Sequence, residues 1–230
     1  MMMYRCFAIK VMLAFCFLFC IPKFCNGGVV TTPTDLAPGE KYYLVLITGS
    51  GLTGQSSDIA FYDAFVTSQA LQNNDLSGIT WKALGSTSTV SARDHLNIGS
   101  YPIYRLDGER IANNATDLWD GSIAKAGMTA QTGILLPNSF VWTGSNPDGT
   151  ASAYYLGSST PVLGFTERTD SGWIDHRHDF PSSSMHRMLA FSELLTVGGS
   201  GATVPEPATI IFFSLTTSVG FLLRKRRFKT

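Results

Sequence analysis

The chain has 230 residues and a formal net charge of zero. That neutrality averages unlike parts: the span 28–204 holds nine basic residues against sixteen acids, a formal −7, and the other eight basic residues sit at the two ends. A central span this acidic excludes nucleic-acid binding, which needs a basic surface, and its length suits one domain with one core.

The N-terminus starts with Met1, carries Arg5 and Lys10, and continues into an apolar run from Val11 to Ile21. Small residues follow at Cys25, Gly27 and Gly28. A basic start, a short apolar stretch and a small-residue site predict a secretory signal peptide over 1–27, cut after Gly27. An uncleaved anchor is the alternative, but the run falls short of the roughly 20 apolar residues a span requires. Phe19 and Phe24 argue against a lipoprotein cut before Cys20 or Cys25, because a small residue belongs there. All four cysteines, Cys6, Cys16, Cys20 and Cys25, lie in this segment. The mature chain therefore has neither disulfides nor thiol ligands, and its core must hold by burial alone.

Residues 28–40 form a Pro/Thr/Gly lead-in, expected to be extended. Lys41 to Thr48 (KYYLVLIT) predicts a strand from its aromatic and branched residues. Gly49 to Gly54 is a loop. Ser56 or Ser57 caps a helix to about Leu71, with Ile59, Tyr62, Phe65, Val66 and Ala70 on one face. Ile79 to Leu84 is a second strand, and Val90 to Leu96 a short helical segment. Asp107-Gly108 marks a hairpin between Tyr101–Leu106 and Glu109–Ala112. Ser139 to Thr143 is a strand, Asn146-Pro147-Asp148-Gly149 a turn, and Arg187 to Leu195 a closing strand or short helix. Early helices followed by many short strands and long loops predict an α+β fold with a mainly antiparallel sheet. The domain is bounded at 41–196, with a flexible linker over 197–204.

The chain ends in three parts. Pro205-Glu206-Pro207 comes first, then the apolar run Ala208 to Leu223, then the basic residues Arg224, Lys225, Arg226, Arg227 and Lys229. The run would be about 24 Å long as a helix, short of the roughly 30 Å hydrocarbon core, and it carries five Ser or Thr. The basic cluster acts as a membrane stop on the cytoplasmic side. This tail, 205–230, resembles the PEP-CTERM sorting signal of bacteria that make exopolysaccharide. The resemblance implies that an exosortase reads Pro205, Glu206 and Pro207 and then removes or exchanges the transmembrane helix. A plain single-pass anchor is the competing reading.

A second resemblance covers about Tyr42 to Leu195. It rests on Trp81-Lys82-Ala83-Leu84, Ser91-Ala92-Arg93-Asp94-His95-Leu96, Tyr104-Arg105-Leu106-Asp107-Gly108 and Asp117-Leu118-Trp119-Asp120-Gly121. Val141-Trp142-Thr143-Gly144, Asp148-Gly149-Thr150-Ala151 and Ser171-Gly172-Trp173 complete it. These blocks are similar to a bacterial extracellular domain family of unknown function with a C-type lectin-like, endostatin-like fold. The resemblance implies that architecture, flanked here by a signal helix and a C-terminal transmembrane helix. Members carry cysteines around the last Trp block; this chain has none, so the family's disulfides do not carry over.

Several constellations need weighing. Gly49-Ser50-Gly51-Leu52-Thr53-Gly54 matches GxGxxG, but no alternating βα pattern follows, so a packing loop is expected rather than a dinucleotide site. Asp175-His176-Arg177-His178-Asp179 is the densest ionisable cluster. In an extended segment His176 and His178 share a face and could chelate Zn²⁺ with His186, against the plainer expectation of a solvated loop. No GxSxG elbow accompanies any histidine. Asp107/Glu109 and Asp117/Asp120 are the acid pairs a glycosidase would need roughly 5–10 Å apart, although turns explain them. Asn146-Pro147-Asp148 is read as a turn before a calcium site. Trp81, Trp119, Trp142 and Trp173 are expected in the core, with a sugar platform as the sharper alternative.

No cofactor is expected. The partners implied are the secretion machinery, an exosortase, the membrane in transit and exopolysaccharide. The expected function is a non-enzymatic binding or structural module at the cell surface or in the matrix. The alternative is an envelope enzyme acting on polysaccharide through loop carboxylates.

Overall fold

The computed structural model describes residues 28–198. The expected signal peptide (1–27) and sorting tail, with Pro205, Glu206, Pro207, Arg224, Lys225, Arg226 and Arg227, lie outside the described residues.

Strand β1, Lys41–Ile47, organises the fold. Six consecutive residues after Lys41 are buried, so the usual in–out alternation is absent, as in any strand covered on both faces. The side chains still alternate: Tyr43, Val45 and Ile47 enter one apolar cluster, and Tyr42, Leu44 and Leu46 the other. The glycine loop after β1 contains the short β2, Leu52–Thr53.

Helix α1, Ile59–Ala70, follows. Its N-cap is Asp58, which accepts from the Ala60 N–H at 3.0 Å, and not Ser56 or Ser57 as expected. Ser56 instead braces the cap, its hydroxyl accepting from the Asp58 N–H and its carbonyl accepting from the Tyr62 hydroxyl. Burial pushes the Tyr62 hydroxyl up to about 12. Tyr62, Val66 and Ala70 are buried on the predicted face. A 3₁₀ turn, Asn74–Leu76, leads into β3, Trp81–Ala83.

Next come α2, Ala92–Leu96, capped by Ser91, and the hairpin strands β4, Ile103–Arg105, and β5, Arg110–Ala112. Gly108 takes φ 87° at the hairpin turn. The Arg105 guanidinium is buried there, and satisfied: it pairs with Asp107 at 2.6 Å and donates to the Ala126 and Gly127 carbonyls. A buried charge is tolerable only when paired in this way.

Helix α3, Ala115–Leu118, is followed by β6, Met128–Thr129, β7, Leu135–Leu136, β8, Phe140–Trp142, and β9, Leu163–Phe165. A 3₁₀ turn at Ser171–Trp173 precedes β10, Met185–His186, β11, Leu189–Ser192, and β12, Leu195–Thr196. The segment left open between strand and short helix thus closes the sheet as a strand.

The main sheet runs β3-β11-β1-β4-β5, with β12 also on β1. Its pairings are antiparallel except for β1 with β4, where Leu44 faces Tyr104 in parallel register. The parallel pair requires a long crossover, which β2, α1, β3 and α2 supply. Three two-stranded ribbons complete the described structure: β6-β7 and β8-β9 within the chain between α3 and β11, and β10 paired back to β2. The domain is therefore mixed α and β, with few helices and mainly antiparallel sheets. Among the described residues, no helix is long and apolar enough to cross a membrane.

The lead-in, expected to be extended, is bent into turns and docked on the hairpin. Val30 N–H donates to the Leu106 carbonyl at 2.7 Å. Asp35 accepts from Tyr104 (3.0 Å) and Arg110 (2.6 Å). At the other end, Val197 exchanges backbone hydrogen bonds with Gly39 and Glu40, so it belongs to the folded edge rather than to the linker.

Close backbone approach fixes Gly164 in β9. A methyl group there would run into the Trp173 carbonyl oxygen, which belongs to rigid main chain. Gly164→Ala should destabilise the domain by ~1–3 kcal/mol, as overpacking does. Thermal unfolding checks this, and an unchanged midpoint would show that the β9–Trp173 contact yields freely.

Candidate functional site

The four tryptophans form no platform. Trp81, Trp119, Trp142 and Trp173 are 2%, 8%, 0% and 1% exposed, which leaves no ring face free to stack on a sugar. The Trp142 indole N–H donates to the Leu52 carbonyl at 3.0 Å, tying β8 to the glycine loop. The four rings are in the core as expected, and the alternative of a sugar platform falls.

The glycine loop is a packing device. Cβ atoms at Gly49, Gly51 and Gly54 would meet Gln131, the His186 backbone and the Trp142 ring respectively. The three glycines thus lie against packed side chains and main chain, the packing role expected of the loop.

The histidine cluster is pulled apart by stacking. The His176 ring lies against Phe165 (5.4 Å) and Phe140 (5.9 Å), and His178 stacks on Tyr154 at 3.8 Å and 6°. The two histidines thus stack on different partners, His176 on Phe140 of β8 and Phe165 of β9, and His178 on Tyr154 in the segment between those strands. His186 sits edge-on among Trp142 (4.8 Å), Phe180 (5.1 Å) and Phe140 (6.2 Å). Among the described residues, no group of three His, Cys, Asp or Glu could hold a metal ion. Arg177 pairs with Asp179 and lies over Phe180 and Phe140.

The acid pairs are committed locally. Asp107 pairs with Arg105, and Glu109 meets Lys125 at 3.4 Å. Asp117 accepts from the Asn113 backbone and amide, and Asp120 from the Ser122 N–H and hydroxyl. Neither pair faces across a cleft.

One contact had no sequence signal. His95 Nε2 lies 2.9 Å from Asp63 Oδ1, and the same oxygen accepts from the Ala83 N–H at 2.7 Å. Asp63 on α1 thus ties α2 and β3 together. The partners are 32 and 20 positions away, beyond any local pattern.

A groove of about 520 Å³ lies between α2 and α3, beside the Asn146–Gly149 turn that packs on Arg93 and Trp119. That size is within the usual range for ligand sites, roughly 300–1,000 Å³. Ile98, Ala115 and Trp119 supply its apolar lining, and Arg93, Asp94, Asn97 and Thr116 its polar lining. The turn is pinned: the Arg93 N–H donates to the Gly149 carbonyl at 3.0 Å, its guanidinium donates to the Asp148 carbonyl, and Gly149 packs on the Trp119 ring. The groove takes Arg93 and Asp94 from the block at 91–96 and Trp119 from the block at 117–121, and Gly149 of the block at 148–151 packs on Trp119. A second depression, about 380 Å³, lies beside Phe140, Met185 and His186.

No protein-family model matches the chain, and no curated protein matches it.

Burial sets two opposite pH dependences. It holds His186 below its ordinary 6.5, with Nε2 buried and unpartnered among the described residues. The unfolded chain then binds that proton more readily than the folded one. The neutral imidazole's contribution is intact above about pH 6.5 and is lost as pH falls through 6.5 toward the lowered folded value. Burial raises Asp175 above 3.8, partly offset by the charge of His178. Its ionised form therefore costs stability at neutral pH, and the cost is relieved as pH falls through the raised value. His186→Phe should flatten the drop in thermal midpoint between pH 7 and pH 5, and Asp175→Asn should raise the midpoint at pH 7. An H186F midpoint that falls as steeply as that of the parent chain would contradict the first expectation.

Proposed function

We propose that this chain is an exported protein of the bacterial envelope or exopolysaccharide matrix, delivered by its sorting tail, whose mature domain is a lectin-like binding or structural module and not an enzyme. The observation that carries the reading is the ordered tail: Pro205-Glu206-Pro207, the short polar-spotted apolar run, then Arg224 to Arg227. The exosortase and secretion machinery are the partners of transit, and the membrane is a temporary one.

Features of the domain support a C-type lectin-like architecture. Its first and last strands pair antiparallel, Lys41 opposite Thr196, so the start of β1 and the end of β12 lie side by side. Early helices flank a central sheet, and long loops with small ribbons fill the chain between α3 and β11. A non-enzymatic role is supported by the acid pairs, each engaged in its own turn. A polysaccharide-cleaving enzyme would instead need two carboxyls facing one another across a cleft.

Fractionation of the producing bacterium tests this reading. The mature protein should be in the envelope or medium, without residues 1–27 and without the tail helix. Deleting Pro205, Glu206 and Pro207 should trap a membrane-bound form that keeps its basic end. Full-length protein in the cytoplasm with an intact N-terminus would overturn the proposal.

A further inference from the structure

The groove between α2 and α3 has a donor set that selects a ligand class. Asn97 ends α2 in the left-handed conformation (φ 47°, ψ 48°), and its backbone N–H closes the helix on the Arg93 carbonyl. Its side-chain amide makes no hydrogen bond among the described residues, and neither does the Thr116 hydroxyl opposite, although both line the groove. Asp94 commits one carboxylate oxygen to the Ser91 hydroxyl at 2.7 Å and leaves the other unengaged. Arg93 spends one guanidinium nitrogen on the turn. The free set is therefore an amide, a hydroxyl, a carboxylate oxygen and guanidinium N–H groups, which offers donors and acceptors together.

The electrostatics exclude an anion. Asp148 stands 3.6 Å from Arg93, and hydrogen bonds from Thr150, aided by the Arg93 charge, hold its carboxyl below the usual range. Arg93, the cation that lines the groove, is thus paired outside it with Asp148, and Asp94 adds a carboxylate to the lining, on a domain that is formally −7 over 28–204. A phosphate or uronate would meet net negative charge. The lining does not suit a wholly apolar ligand either, which would leave these polar groups desolvated and unpaired. A ligand with neighbouring hydroxyls, each donor and acceptor, matches the planar amide, carboxylate and guanidinium edges. Its C–H face can rest on Ile98 and Ala115, while Trp119, 8% exposed, backs the wall.

We propose that this groove binds neutral hexose units of a glycan. The proposal rests on the envelope and matrix reading above and deepens it by naming a site and a ligand class. It needs no bound metal and no exposed tryptophan.

The test uses the full chain in detergent with arrayed neutral oligosaccharides of glucose, galactose and mannose, and with uronic-acid oligosaccharides beside them. Asn97→Gly removes the amide and keeps the left-handed backbone; Thr116→Val removes the hydroxyl at constant shape. Binding of a neutral oligosaccharide that weakens by roughly tenfold or more in each variant, with an unchanged thermal midpoint, is the expected result. Undiminished binding by both variants would place the sugar elsewhere and overturn the groove, leaving the lectin-like reading standing. Preference for uronic acids would overturn the neutral class. Absence of any glycan binding, with the protein still found in the envelope, would overturn the site while the sorting reading survives.

Discussion

Strand β1 is buried on both faces, and the rest of the domain is arranged to keep it so. Residues Tyr42 to Ile47 are all inside, and they feed two separate apolar clusters, one on each face of the sheet. The described span contains no cysteine, so no covalent staple supplements this burial. Each fully buried side chain of this size contributes on the order of 1.5–3 kcal/mol by removal from water. Exposing either face of β1 would therefore forfeit the main source of stability. Helix α1 and the β8–β9 ribbon with Trp142 cover one face, where Trp81 of β3 also packs. The α2 and α3 segments with Trp119 and Trp173 cover the other.

Covering a sheet with loops rather than long helices has a cost in backbone polar groups, because loops do not satisfy themselves. The domain meets it with side chains that bridge distant segments. Trp142 donates to Leu52, Arg105 to Ala126 and Gly127, Arg187 to Thr48 and Gly49, and Thr143 to Ile174. Glycines then permit main chain to approach main chain, as at Gly164 against Trp173 and Gly51 against His186. The glycine-rich, serine-rich composition of the span is thus a packing requirement of loop-built layers, not a sign of flexibility.

The same economy leaves a few polar groups over. Most acids and arginines are tied into local turns, such as Arg168 with Asp170 and Arg177 with Asp179. Exposed pairs of this kind add little stability, but they fix the turns that shape the surface. Around the groove beside Trp119, by contrast, the amide of Asn97 and the hydroxyl of Thr116 are held in place by backbone that is itself well anchored. Rigid support with uncommitted donors and acceptors is what a binding site needs, since ordering costs are met before the ligand arrives.

Much of the scaffold was legible in the sequence because it rests on local rules. The run KYYLVLIT reads as a buried strand, Asp107-Gly108 demands a hairpin turn, and the Ile59–Ala70 periodicity gives a helix whose Tyr62, Val66 and Ala70 are buried. The expected N-cap missed by one residue because Ser56, Ser57 and Asp58 are all competent caps, and only the main-chain path at Asp58 (φ −98°, ψ 116°) selects among them. The proposed export signals at both ends are likewise read from linear order alone. The separation of His176 from His178, the Asp63–His95 tie and the parallel pairing of β1 with β4 are of another kind. They join residues far apart in the chain, or turn neighbours onto different rings, so no periodicity encodes them. The groove follows the same logic: its residues come from two stretches, 93–98 and 115–119, and the Asn146–Gly149 turn packs on Arg93 of one and Trp119 of the other. Local chemistry in the sequence determined the elements, and only the burial of both faces of β1 decided which side chains pack inside and which stay at the surface.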